Sequence, residues 1–480
     1  MSENLEKLAL ELQKIEAFML KAEKAFGYLL EKVHPSHHKN AINLLHYLAL
    51  RSLDIRELQD ALHAEGLSSM ASSESHVMGQ LIAIQQHVGI SKPEKEEEVM
   101  SYAASKQSLH NKSVALFGKK EMEAVPYIMI TFDTSLASDY DKVKSLLQSG
   151  MNIARINCAH DEESTWFMMI QQIKRASKVT GLSCRIYMDL AGPKIRTVIH
   201  KSGKLKVEEG HSIYLTDESQ LNGAKNTIGC TIPAISSQLK SGETVLFDDG
   251  LIETRVEKIE DGKVKLRVLR VSSKKPFIKN EKGINFPDST LLTPALKDYD
   301  KQCLKFIQKH ADIVGYSFVR NTKDIIELQE VLGNSKKPAL VIKIETPEAV
   351  KNLPDLLFCA MREENTGVMI ARGDLAVEIG FERMSEIQEE ILWICEAAHL
   401  PVIWATQVLE NLNKSGLATR SEVIDAAHAA LAECVKINKG IHIIHTIEAL
   451  RDILARSGGH HVKKRFTFRP LAIASRFMAT

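Results

Sequence analysis

The sequence predicts an α/β protein: a (β/α)8 TIM barrel interrupted by a small β-barrel domain and preceded by a helical bundle. Three observations predict it. Beyond residue 125, short apolar runs alternate with helix-sized segments eight times. Between Thr197 and Gly283 this rhythm gives way to period-two alternation with tight turns, and before residue 90 apolar side chains recur in steps of three and four. An open doubly wound sheet is the runner-up for the barrel.

Residues 1–91 read as the bundle. Leu5, Leu8, Leu12, Ile15, Met19, Ala22, Phe26, Leu29 and Val33 form one helical stripe over 4–33, which stops near His34-Pro35. A second helix is expected over 40–52, and a third carries Ile55, Leu58 and Leu62 before Gly66, a residue suited to a C-terminal cap. The hydroxyls of "SSMASSES" can cap a fourth, with Val77, Leu81, Ile84 and Val88 on one face. The stripe is expected to be bundle core, with a dimer seam as the alternative. His34, His37, His38 and His46 have no clearly paired acidic or cysteine ligands and are expected to be surface histidines rather than a metal site. Residues 92–124, with "KPEKEEE" and "SKQSLHNKS", read as a linker or surface arm.

The barrel is expected in two parts, 125–197 and 285–470, with a tail at 471–480. Its strands are "YIMIT", "MNIARIN", "RIYMDL", "ADIVGYSF", "ALVIKIE", "TGVMIA", "PVIWAT" and "AECVKIN". The insert, 198–284, shows Val264, Leu266 and Val268 alternating in "GKVKLRVLRV", near the turn signals "FDDG" and "EDGK".

At 480 residues the chain can build two or three cores. Lys plus Arg (62) and Asp plus Glu (61) nearly cancel, so net charge offers nothing to nucleic acid or an anionic membrane. Seven scattered cysteines without a CxxC pair argue against disulfides and zinc, and fit a reducing cytoplasm. The N-terminus "MSENLEKLALELQK" is too charged for a signal peptide, and no uncharged stretch reaches the roughly 18 residues of a membrane span.

Chemistry on such a barrel belongs at the C-terminal strand ends. These carry Arg155 and Asn157 on strand two, Asp189 on three, Lys343 and Glu345 on five, Asp374 after six, Thr406 after seven and Asn438 after eight. Lys343 and Glu345 lie two apart, so they share a face, which is the barrel interior or mouth. "ARGDLAVEI" follows a strand and opens a helix, so N–H groups near Gly373 and Asp374 can face an anion. Glu345 and Asp374 from adjacent strands suit a hard cation such as Mg2+. An internal ion pair of Lys343 with Glu345 or Asp374 is the other reading.

"MNIARINCAHD", "MDLAGPKIRT", "FDDGLI", "KGINFPD", "VIKIETPEAV", "MIARGDLAVEI" and "PVIWATQVLENL" followed by "TRSE" resemble the pyruvate kinases in order and spacing, from about 127 to 455. The resemblance implies that the insert is a mobile lid. It implies transfer of a phosphoryl group from phosphoenolpyruvate to ADP, giving pyruvate and ATP. Arg155 and Lys343 would bind and stabilise the moving group. Glu345 and Asp374 would hold Mg2+ (or Mn2+), while the N–H groups of Gly373 and Asp374, with Thr406, would hold the substrate carboxylate. Asn157, His160 and Arg196 would face the nucleotide. The enolate would take its proton from water near Thr406.

The departures are informative. Where the family holds K+ with hydroxyl and carboxylate ligands, this chain has Ala159 and Leu190, and Lys194 replaces a glutamate. Lys194, balanced by Asp189, is read as a substitute for the ion, so K+ should not be required; a solvated surface lysine is the alternative. The loops Thr131-Phe132-Asp133-Thr134 and Asn438-Lys439-Gly440 also differ, and the family's C-terminal regulatory domain is not expected. Substrates are expected to be small molecules, with no nucleic acid or membrane partner, in a homo-oligomer. A Mg2+-dependent lyase or aldolase acting on a pyruvate enolate, or a degenerate barrel acting as a binding protein, are the alternatives.

Overall fold

Eight parallel strands close into a barrel: Tyr127–Thr131, Ile153–Asn157, Arg185–Asp189, Ile313–Tyr316, Ala339–Ile344, Thr366–Ala371, Val402–Ala405 and Cys434–Ile437. This computed structural model describes residues 3–91, 99–120, 122, 125–200, 203–221, 223–273, 275–289, 291, 293–333, 338–458 and 472–479. Closure rests on the pairing of the first strand with the eighth, Tyr127 opposite Cys434, which an open sheet would lack. Both faces of each strand are covered, by helices outside and side chains inside, which is why the runs are almost continuously apolar. Inward-facing Tyr127, Met129, Ile153, Tyr187, Ile313, Val341, Met369, Ile403 and Cys434 pack as one interior layer set.

The barrel floor is a correction to the linker reading of 92–124. Tyr102–Phe117 is a helix, capped by Ser101 Oγ, and its last residues Leu116 and Phe117 join the interior cluster from the N-terminal side of the strands. Phe117 lies 5.1 Å from the Tyr127 ring, and a Cβ on Gly367 would stand 2.7 Å from Leu116 Cδ2. This helix buries mainly its C-terminal end, so its sequence shows no long apolar stripe to read. Phe117→Ala should destabilise the protein by ~3–5 kcal/mol, the usual cost of emptying a buried aromatic site; urea unfolding that shows no loss would remove the floor role.

The N-terminal helices run Glu3–Ala25, His38–Arg51, Arg56–Ala64 and Val77–His87. The predicted stripe is core: Leu8, Leu12, Ile15, Met19, Ala22 and Val33 are buried. The first helix ends sooner than its stripe, because the backbone turns at Phe26 before a short segment, Gly27–Leu30. The surface reading of the histidines fails for two. His46 Nε2 pairs with Glu23 Oε2 at 2.8 Å, and His37 reaches Glu364 O at 3.0 Å, where burial pushes its pKa down to about 4. Both serve packing against neighbouring elements, and no group of three metal-ligating side chains occurs among the described residues. Asn43 donates to Ala397 O at 2.9 Å, tying the bundle to the barrel. Residues 459–471 lie outside the described residues, but the predicted tail is structured: Ala472–Met478 is helical, and Phe477 stacks 5.2 Å from Phe26.

The insert has its own core and a barrel-like seven-stranded sheet, ordered Ile284–Asn285, Thr244–Phe247, Ile252–Glu260, Lys263–Val271, Ser212–Asp217, Thr227–Cys230 and Thr197–Val198. Val264, Leu266 and Val268 face that core as their alternation requires. Asp261 and Gly262, with φ of 48° and 72°, make the two-residue hairpin turn. No described helix is long and apolar enough to cross a membrane.

Candidate active site

The bend in "MDLAGPKIRT" distributes three charges to three places. Asp189, the last residue of the third strand, points inward and is fully buried. Gly192, at φ 66°, turns the chain so close to strand four that a Cβ would stand 2.9 Å from Ser317 Cβ and from the Phe318 ring. A residue with a side chain could not hold this bend. The chain then leaves for the insert, carrying Lys194 across to Asp374 at 2.7 Å and Arg196 to the junction with the insert, where it donates to Glu281 O at 3.0 Å.

Asp189 is the hub of the barrel mouth. Arg155 Nε donates to its Oδ2 at 3.0 Å, a second guanidinium nitrogen contacts the same oxygen, and Lys343 Nζ stands 3.3 Å from it. Burial disfavours the Asp189 charge, yet Lys343 and Arg155 outweigh it and hold the carboxyl below its usual range. Lys343 also donates to Ser317 Oγ at 2.7 Å and meets Glu345 Oε1 at 3.0 Å. Burial opposes its charge too, but Asp189 and Glu345 prevail and raise its pKa. The Lys343–Glu345 ion pair therefore exists, on the shared face that period two demands.

Glu345 accepts the Phe318 N–H at 2.6 Å. Its pKa is raised, chiefly by burial and further by the neighbouring Asp374 carboxylate, against the pull of Lys343. Glu345 is buried and the adjoining Asp374 half-buried, and positive charge added beside them would favour the ionised Glu345.

The segment after strand six starts a helix at once, Arg372–Ile379, with Gly373 and Asp374 in its first turn. Thr406, after strand seven, has φ 78°, an unusual conformation for a β-branched residue. Arg372 holds it there: it donates to Thr406 O at 2.6 Å and Ala405 O at 3.0 Å, pairs with Asp425, and lies 4.3 Å over the Trp404 ring. Gly373 must lack a side chain, since its Cβ would come within 2.7 Å of Thr406 Cγ2.

On the outer rim, burial and the charges of Lys439 and Arg196 lower the pKa of His160, and Arg196 likewise acts on Lys297. Arg196, Lys439 and Lys297 therefore form a cationic rim beside His160. Asn157 ends strand two opposite Asp189, and its Oδ1 accepts the Ala159 N–H at 3.1 Å within its own loop. Thr134 Oγ1 donates to Asp161 at 2.6 Å, joining the loops after strands one and two.

The family model for the barrel domain of pyruvate kinase matches residues 127–438. The chain belongs to the pyruvate kinase family. It is 31% identical over 294 residues to the pyruvate kinase of Staphylococcus saprophyticus, covering 60% of this chain and 48% of that protein. With the Staphylococcus aureus pyruvate kinase it shares 31% identity over 291 residues, at the same coverages. The chain thus spans about half the length of the curated relatives it matches.

One expected pairing is corrected. Lys194 was to be balanced by Asp189, its neighbour in sequence; it contacts Asp374 instead, because Asp189 turns into the barrel while the bend carries Lys194 outward past Gly283. Sequence reasoning also passed over Arg372, Ser317 and Lys436. Ser317 ends strand four and Lys436 precedes Asn438 by two, so the rules that flagged Asp189 and Glu345 would have found both. Arg372 acts through a backbone carbonyl and leaves no such signal.

Proposed function

We propose that the chain transfers the phosphoryl group of phosphoenolpyruvate to ADP, with Arg155, Lys343 and the Glu345–Asp374 pair as its machinery. The observation that carries this is the buried cluster in which Arg155 and Lys343 share one oxygen of Asp189 beside two close carboxylates. Phosphoryl transfer requires positioning and positive charge on the equatorial oxygens, and little covalent chemistry from the protein. Arg155 and Lys343 supply that charge. Glu345 and Asp374 fit a divalent ion, Mg2+ or Mn2+, which when bound adds charge against the phosphoryl and carboxylate oxygens. The Gly373 and Asp374 N–H groups and Thr406 receive the substrate carboxylate at a helix N-terminus. ADP lies against the rim of His160, Arg196 and Lys439, with Asn157 shaping the adjoining loop.

In the step itself the bond from phosphorus to the enol oxygen breaks as a bond to the ADP terminal oxygen forms. Lys343 stabilises the enolate left behind, and a proton delivered through water near Thr406 to its methylene carbon completes pyruvate. A lactate-dehydrogenase-coupled assay with phosphoenolpyruvate, ADP and Mg2+ should show turnover; silence with every nucleoside diphosphate would overturn the reading.

K+-independence is supported by Ala159 and Leu190 standing where hydroxyl ligands are expected, and by Lys194 bringing a fixed ammonium to the barrel mouth, 2.7 Å from Asp374 Oδ1. Burial works against that charge and Asp374 restores it, raising the pKa. Turnover in tetramethylammonium buffer should not change when K+ is added, whereas a strict K+ requirement would refute the substitution. A homo-oligomer belongs to the same reading, and sedimentation of the full chain tests it.

A further inference from the structure

The eighth barrel strand carries a lysine that none of these steps uses. Lys436 lies two residues beyond Cys434, which faces the barrel interior, and its Cα pairs with that of Met129, another interior residue. Strand alternation therefore turns Lys436 inward. It is 7% exposed, and its Nζ donates to Asn438 Oδ1 at 3.2 Å. The charges bearing on it come from three other strands: Arg155 on the second, Asp189 on the third, Lys343 and Glu345 on the fifth.

No carboxylate forms an ion pair with Lys436 among the described residues. Asp189 Oδ2 is already shared by Arg155 and Lys343, its buried Oδ1 accepts a hydrogen bond from neither Lys436 nor any other group, and Glu345 takes Lys343 and the Phe318 N–H. Arg155, Lys343 and Lys436 thus bear on Asp189 and Glu345, and the neighbouring Asp374 is already paired with Lys194, so the cluster holds one cationic side chain more than it has carboxylates. A buried ammonium without a counter-charge destabilises a fold, and an apolar residue would serve the barrel better. Consistent with that geometry, burial and then Arg155 push the Lys436 pKa well below the usual lysine value. An incoming anion is what would offset the surplus.

We propose that Lys436 is a further anion-binding residue of the barrel mouth, steadied by Asn438 and directed at the same phosphoryl group as Arg155 and Lys343. This rests on the phosphoenolpyruvate reading above. The dianionic phosphoryl group supplies the missing counter-charge.

The test compares full-length wild type with Lys436→Met and Lys436→Gln. Thermal melting is measured first, then calorimetric binding of phosphoenolpyruvate with Mg2+ and no ADP. The melting temperature should rise in Lys436→Met, while affinity falls roughly ten- to hundredfold, the worth of one charge-assisted hydrogen bond. A lower melting temperature with unchanged affinity would make Lys436 a structural residue and overturn the inference alone, as would wild-type affinity in both variants. A wild type that binds no phosphoenolpyruvate overturns the phosphotransfer reading, and this inference with it.

Discussion

Lys343→Met should lower kcat by roughly 10²–10³-fold in the coupled assay, the usual penalty for removing one donor aimed at transition-state charge. The side chain keeps its length and apolar stem, so the strand loses only the ammonium that touches Ser317, Asp189 and Glu345. Since that charge counts most as the phosphoryl group moves and the enolate forms, kcat and kcat/KM should fall together while KM stays nearly constant. Breaking a buried pair also destabilises the protein, by ~3–5 kcal/mol, so the variant is assayed below its melting transition. A variant that melts earlier yet turns over at wild-type rate would reduce Lys343 to a strut of the barrel mouth.

The second large effect belongs to Asp189→Asn. The amide keeps the shape but leaves Arg155 and Lys343 facing each other, with Lys436 close by and no central anion. Loss of stability by ~3–5 kcal/mol at pH 7 is expected. The pH dependence identifies the cause. Asp189 has a folded-state pKa below its unfolded value of about 3.9, so its contribution is present above that pH and is lost as pH falls through the folded value. Wild-type unfolding free energy should therefore drop more steeply on acidification below about pH 4 than that of the variant. Parallel curves from urea titrations at pH 7 and downward would show that Asp189 is not the titrating hub.

The eight strands and the insert were legible because both are written in local periods. Continuous apolar runs mark strands covered on two faces, and Val264, Leu266 and Val268 mark one covered on a single face. The helix Tyr102–Phe117 was not legible, since only Leu116 and Phe117 enter a core, and that core lies in another part of the chain. His37 and His46 misled for the same reason: polar by type, they are buried by partners at Glu364 and Glu23.

Strand alternation alone placed Lys343 and Glu345 on one face, and Gly373 ahead of Asp374 announced a helix start next to it. Side-chain period and backbone propensity act over a few residues, so a sequence can carry them unaided. Which carboxylate each cation meets is decided by barrel closure and by the bend at Gly192. Those bring together residues more than a hundred positions apart, such as Lys194 with Asp374 and Asp189 with Lys343. Ion pairing depends on distances of a few ångströms, and only the folded barrel sets them.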